Sequence, residues 1–251
     1  MNVGPCRLLE RTHPDCAADL ACDELLLRDL DQHGGEPILR LWERPDEAVV
    51  LGRANRVSAN VSVEACLADG VPILRRCSGG GTVMLGPGCL CYSLFIPIDP
   101  GVAKDIHGSI SAALEPLAHS LSDALTGGSS ELTPDVAGTS DLVIDAVKFS
   151  GNAQRWLKHA MLHHGTLLYD FDLDRIGRYL TKPERSPEYR TDRTHGEFVR
   201  NLPLRRAAIR SAVIAAYQAT AEATIREPND AEIQSLVNER YATRDWTWSR
   251  A

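Results

Sequence analysis

Long apolar runs are missing from this 251-residue sequence. None approaches the roughly 20 residues that cross a bilayer, and residues 1–15 carry no apolar core of the kind a secretory leader needs. No membrane association is expected, and a cytoplasmic location follows. An excess of positive charge is missing too: the net charge is −7, without the basic footprint that holds nucleic acid. Metal-ligand spacing is absent, since the eight histidines form no convincing pattern with cysteine or carboxylate partners. Seven cysteines, odd in number and irregular in spacing, fit free thiols in a reducing compartment better than a disulfide framework. Repeats, low-complexity tracts and a strong domain boundary are all lacking, so residues 1–251 are expected to form one domain. Neither a phosphate-binding Gly-Lys-Ser/Thr loop nor a dinucleotide fingerprint is present.

What is there begins with alternating helix and strand signals. Asp15 can cap a helix to about residue 32, with Leu20, Leu26, Leu27 and Leu30 on its apolar side and Gly34-Gly35 as its stop. Residues 37–42, 48–51, 71–76, 82–84 and 89–96 read as strands, and 61–68 as a short helix. In 89–96, alternation sets Cys89, Cys91 and Ser93 on one face and Leu90, Tyr92 and Leu94 on the other. Residues 104–125 read as a helix kinked at Pro116, and 126–130 as a flexible tip. Three antiparallel strands follow at 141–145, 147–156 and 161–169. Residues 182–200 read as a long functional loop, and 204–225 and 230–241 as helices. Strands and helices mixed in this way predict an α/β (mixed α+β) fold with a central mixed sheet flanked by helices.

Two segments carry the chemistry. In Arg75-Arg76-Cys77-Ser78-Gly79-Gly80-Gly81-Thr82-Val83, three glycines let backbone N–H groups approach an anion, and two arginines precede them. A tight turn explains a glycine run alone; the arginine pair shifts the balance toward a carboxylate or phosphate. In Lys148-Phe149-Ser150-Gly151-Asn152-Ala153-Gln154, a lysine stands beside a glycine, with Asn152 and Gln154 offering directional hydrogen bonds. A cation about 4 Å from developing negative charge is worth roughly 4 kcal/mol at an effective dielectric near 20. His163-His164-Gly165-Thr166 follows. There His164 reads as a wall residue before an acid/base group, and Gly165 as a place where an acyl chain passes the backbone. Cys77, Cys89 and Cys91 read first as small packing residues; arginines nearby would have to depress a thiol for a nucleophilic role.

These segments, with Asp141-Leu142-Val143 and His164-Gly165-Thr166-Leu167-Leu168, resemble the catalytic domain of lipoate–protein ligase A, in the superfamily of biotin–protein ligases and octanoyltransferases. The resemblance extends from about Trp42 to Trp246. It implies an ATP-dependent ligase that activates lipoate or octanoate as an acyl-adenylate and passes the acyl group to a carrier lysine. Lys148 would be catalytic. Arg75, Arg76, Ser78, Gly79, Gly80, Gly81, Thr82, Ser150, Gly151, Asn152, Ala153, His164, Gly165 and Thr166 would bind substrate and adenylate, with Asp141 near the nucleotide or its magnesium. ATP and Mg²⁺ would be co-substrates, with no permanently bound cofactor. The implied partners are a lipoyl carrier domain of 2-oxoacid dehydrogenase complexes or the glycine cleavage H protein, and a separate accessory ligase subunit. An eight-carbon tail buried at roughly 0.8 kcal/mol per methylene would supply about 5 kcal/mol before ordering costs.

The sequence departs from the family where ligases usually carry Gly-Asn-Leu-Asn: here it reads Gly88-Cys89-Leu90-Cys91. No counterpart of the accessory domain that follows in many full-length ligases is expected. Octanoyltransferase cysteines are also missing, since the corresponding regions read Pro134-Asp135-Val136-Ala137 and Lys182-Pro183-Glu184-Arg185. Two alternatives compete with the ligase: a thioester-dependent octanoyl or lipoyl transferase, using Cys77, Cys89 or Cys91 or transferring directly without a covalent intermediate, and a non-catalytic acyl- or carrier-binding subunit.

Overall fold

Alternation in the longest buried strand divides the interior in two. A computed structural model describes residues 3–101, 103–127, 132–182, 187–191, 193–221 and 225–250. Its first elements are β1 (Arg7–Glu10), α1 (Cys16–His33), β2 (Ile38–Glu43), β3 (Ala48–Leu51), α2 (Val57–Asn60), α3 (Val63–Asp69), β4 (Ile73–Arg75), β5 (Val83–Leu85) and β6 (Cys89–Pro97). Next come α4 (Ile106–Thr126), β7 (Asp135–Ala137), β8 (Asp141–Ile144), β9 (Val147–Trp156), β10 (Ala160–Leu168) and α5 (Leu173–Tyr179). The chain then forms α6 (His195–Phe198), α7 (Arg206–Ala216), α8 (Asp230–Leu236) and α9 (Arg244–Thr247).

Seven strands form one sheet in the order β1-β2-β6-β10-β9-β8-β7, and β4-β3-β5 form a second. The β1–β2 and β3–β4 pairs are parallel and the others antiparallel, so both sheets are mixed. On one side of β6, Cys89, Cys91 and Phe95 pack with Leu26 and Leu27 of α1, Val49 of the small sheet, and Leu236. On the other, Leu90, Tyr92, Leu94 and Ile96 pack with α4 and α7 through residues such as Leu117 and Val213. The expected α/β class and central mixed sheet are what the chain adopts.

Asp15 caps α1 by accepting from the Ala18 N–H at 2.8 Å, and Gly34 ends it. Beyond its leucines, α1 also buries Asp19 and Asp23. Arg40 of β2 reaches both carboxylates, at 2.6 Å for Asp23, and Ser93 donates to Asp23 at 2.7 Å. Burial of those charges is tolerable because each is paired and hydrogen-bonded.

Several boundaries differ from expectation. The helix predicted over 204–225 stops at Ala216, because residue 220 completes the free edge of β1: Leu8 N–H donates to Thr220 O at 2.8 Å and Thr220 N–H to Cys6 O at 3.0 Å. The short edge strands β1 and β7 carry too few residues for an alternation signal. The helix of α4 continues through Pro116 without interruption. Most of the tip expected at 126–130 lies outside the described residues. Within the loop expected at 182–200, residues 183–186 and 192 lie outside them as well, while Glu188–Arg190 forms a 3-10 turn and α6 follows. The helix expected over 230–241 begins as α8 and finishes as a π-helical turn, Val237–Tyr241.

Candidate active site

The glycine loop runs from β4 to β5, and Arg76 organises it from within. Its Nε donates to Ser78 Oγ at 3.0 Å, Nη1 to Val50 O at 3.2 Å, and Nη2 to Gly79 O at 2.5 Å and Gly81 O at 2.7 Å. Burial lowers this guanidinium to about 10, and no carboxylate pairs with it among the described residues. Arg75 has a different place. It is fully buried and donates to the carbonyls of Gly52, Arg53 and Asn55 and to those of Trp246 and Thr247, at 2.7–3.1 Å. It fastens α9 beneath the loop and does not reach the cavities, so the substrate-binding role expected of it gives way to a structural one. Its side chain points opposite to that of Arg76, as neighbouring residues on an extended chain must.

Two cavities open beside the loop, one of about 350 Å³ and one of about 250 Å³. They meet at Gly81, Thr82, Asp141, Lys148, Gly151 and Thr166. The first adds Arg76, Gly80, Asn152, Ala153, His164 and Gly165 from among the expected residues. Its far end is apolar, lined by Leu20, Trp42, Val50, Leu85 and Cys91. Ser150 lines only the second cavity, whose walls include Met84, Phe149, Ile176, Leu180 and Phe198. Ser78 and Gly79 belong to the loop but line neither cavity.

Lys148 stands at the junction. Its Nζ is 2.7 Å from Asp141 Oδ1, and Tyr189 OH donates to Asp141 Oδ2 at 2.7 Å. The lysine lies across Gly151: a Cβ there would come within 2.7 Å of Nζ. Glycine at 151 therefore makes room for this cation. Asp141 is the one acidic side chain lining either cavity among the described residues. No group of three or more His, Cys, Asp or Glu side chains there is arranged to hold a metal by itself.

Gly165 lines the first cavity and also makes room for a side chain. A Cβ at 165 would lie 1.7 Å from Asn152 Oδ1. A directed series of hydrogen bonds holds that amide. Trp156 and Ser109 both donate to Gln154 Oε1 at 3.0 Å, so the Gln154 amide N–H faces His163 Nδ1 at 3.2 Å. Nδ1 must then accept, leaving His163 Nε2–H to face Tyr92 OH at 3.3 Å. Tyr92 donates to Asn152 Oδ1 at 2.6 Å, and Asn152 donates to Ser140 O at 2.8 Å and Ser150 Oγ at 3.1 Å. Burial lowers His163 to about 3, which keeps it neutral in this tautomer.

His164, on the opposite face of β10, meets Ser78 Oγ through Nε2 at 2.6 Å. Burial, and then the Arg76 charge, hold it well below its ordinary value. A neutral ring accepting from the Ser78 hydroxyl is a wall, which is the first of its two expected readings. Cys77, Cys89 and Cys91 are all buried, as the packing reading expects. Burial pushes the Cys77 thiol up to about 12, with the Glu24 charge adding to it, and raises Cys91. The nearby arginines do not offset desolvation, and a thiol without thiolate is a poor nucleophile.

Sequence reasoning left Leu20 and Trp42 in the general core and gave Tyr189, Arg190 and Phe198 only a loop. No periodic pattern distinguishes a cavity wall from a core wall, and the second group comes from a segment with little regular structure.

The sheet, the glycine loop and the lysine shared by two cavities define a mixed α/β domain with one bipartite pocket, and residues 15–215 match the family described as the lipoyl protein ligase A/B catalytic domain. The chain belongs to that family. Lipoate-protein ligase A of Blochmanniella floridana is 26% identical across 98% of this chain and 72% of its own length. Lipoate-protein ligase A subunit 1 of Thermoplasma acidophilum is 27% identical, over 95% and 94% of the two chains. A solved bipartite lipoate protein ligase from Thermoplasma acidophilum superposes with a TM-score of 0.80 at 25% identity, covering 98% of this chain and 97% of its own.

Proposed function

We propose that this chain is an ATP-dependent lipoate–protein ligase acting as a single catalytic domain. The observation that carries the reading is Lys148 at the meeting point of an apolar slot and a second cavity, beside a loop whose backbone is held open by Arg76. Lipoate, or octanoate, fits the first cavity with its tail between Leu20 and Trp42 and its carboxylate toward Lys148. ATP fits the second, with the α-phosphate at the junction. A carboxylate oxygen forms a bond to the α-phosphorus, the bond from that phosphorus to its bridging oxygen breaks, and pyrophosphate leaves with the electron pair. The amine of a carrier lysine then bonds to the acyl carbon, AMP leaves, and the amine proton passes to solvent. In both steps negative charge gathers within reach of one ammonium group, where a fixed cation is most effective. Magnesium, travelling with the phosphates, would lie toward Asp141 and supply further charge neutralisation.

The carrier is a lipoyl domain of a 2-oxoacid dehydrogenase complex, with the glycine cleavage H protein as a second candidate. An accessory chain is part of the reading because the Thermoplasma relative is a subunit 1 and the matching structure is bipartite. No helix among the described residues is long and apolar enough to cross a membrane, and we place the reaction in the cytoplasm. Supplying apo lipoyl domain with lipoate and ATP, or with octanoyl thioester alone, separates ligase from transferase. Acylation confined to the ATP arm is expected; acylation confined to the thioester arm would overturn the reading. The raised thiols of Cys77 and Cys91 give a transferase that uses them no support, and an intact Lys148 junction gives none to a purely binding role.

A further inference from the structure

The second cavity contains a cation that neither the glycine loop nor the lysine segment supplies. Arg190 ends the 3-10 turn Glu188–Arg190 and lines this cavity but not the acyl slot. Its residue is only 3% exposed. The guanidinium lies 4.7 Å above the Phe198 ring, and its one hydrogen bond among the described residues runs from Nε to Arg193 O at 3.3 Å. Among the described residues no carboxylate pairs with it and its terminal nitrogens have no protein partner. Because Lys148 and Asp141 neutralise each other at 2.7 Å, Arg190 sets the net charge of the cavity walls among the described residues. Its neighbour Tyr189 donates to Asp141, and residue 199, next to Phe198, bridges to Lys148. Arg190 is thereby tied through its neighbours to the Asp141 and Lys148 junction.

We propose that Arg190 binds the β- and γ-phosphates of the nucleotide and holds the pyrophosphate that leaves on adenylation. This rests on the ligase reading and adds a specificity residue to it. The α-phosphate must meet the acyl carboxylate at Lys148, so a cation confined to the second cavity meets the part of the nucleotide beyond it. Adenosine is neutral and gives a buried guanidinium nothing to neutralise; a polyphosphate does, and guanidinium nitrogens match phosphate oxygens in pairs. Stacking on Phe198 fixes the fork before the ligand arrives.

The test titrates ATP and AMP, each with magnesium, into the full chain and into Arg190→Gln and Arg190→Lys. For Arg190→Gln, ATP affinity is expected to fall about 10- to 100-fold, the range for losing charged hydrogen bonds, while AMP affinity stays within about twofold. Arg190→Lys is expected to lie between. Equal loss of ATP and AMP affinity, or no loss of either, would overturn the assignment while leaving the ligase reading intact. A wild-type chain that binds neither nucleotide would instead overturn both. Thermal midpoints of the variants accompany the titrations, and a collapse of both midpoints would mark Arg190 as a packing residue and overturn the proposal.

Discussion

Replacing Lys148 with Met removes the ammonium and leaves the Asp141 carboxylate facing two incoming anions. A unit charge about 4 Å from the transition-state charge is worth roughly 4 kcal/mol at an effective dielectric near 20. The Lys148 side chain is 27% exposed, so solvent screening can bring this down to about 2 kcal/mol. The expected loss in kcat/KM for adenylation is thus about 30- to 1,000-fold. Part of it comes from repulsion by the abandoned carboxylate, now without its 2.7 Å partner. Lys148→Met with Asp141→Asn should therefore adenylate about 3- to 10-fold faster than Lys148→Met alone, a coupling of order 1 kcal/mol. Lipoate-dependent exchange of labelled pyrophosphate into ATP measures each variant. Lys148→Met retaining more than a third of wild-type activity would refute the role of the charge. A double variant slower than the single one would refute the cancelling pair.

Four further outcomes follow from the same geometry. Arg75→Met should lower urea stability by about 3–5 kcal/mol, because it leaves a set of buried carbonyls without their donor; an unchanged midpoint would put Arg75 back at the ligand. Gly165→Ala should cost about 1–3 kcal/mol in a thermal melt and raise the KM for the acid, since its methyl displaces the Asn152 amide. Cys77→Ser should acylate carrier with little loss, and no acyl-enzyme should be trapped in wild type near neutral pH, given a thiol near 12. Acid should destabilise the fold: His163 is held at about 3 and His13 at about 4 in the folded chain. Between those values and an unfolded value near 6.5 the unfolded chain binds more protons, so stability falls as pH drops through that window. Each histidine contributes a slope of about 1.4 kcal/mol per pH unit. His163→Gln should flatten the slope in urea titrations from pH 7 to 4, and an unchanged slope would contradict the buried neutral ring.

Much of this was legible in the residues. The alternation in 89–96 assigned Cys89 and Cys91 to one core and Leu90, Tyr92 and Leu94 to the other, and Asp15 with Gly34 marked both ends of α1. The glycine loop and the Lys148 segment could be named as one site, since each carries a residue pattern with a chemical purpose. What could not be read depended on side-chain direction and on contacts between distant segments. Arg75 and Arg76 are adjacent and chemically identical, yet one meets carbonyls from around Gly52 and Thr247 while the other gathers the glycine loop. That Gly165 also makes room for the Asn152 amide depends on the neighbouring strand, which its own segment does not show. Tyr189 and Arg190 reach the cavity only because the 3-10 turn brings them there, and an irregular segment leaves no periodic trace.

A crystal structure of this chain with lipoyl-adenylate would bear most directly on the shared-lysine arrangement. The account predicts the acyl tail between Leu20 and Trp42, the phosphoryl oxygens within hydrogen-bond reach of Lys148 Nζ, and the adenosine in the cavity walled by Met84 and Phe198. An adenylate bound elsewhere, or one whose phosphoryl group sits out of reach of Lys148, would contradict it.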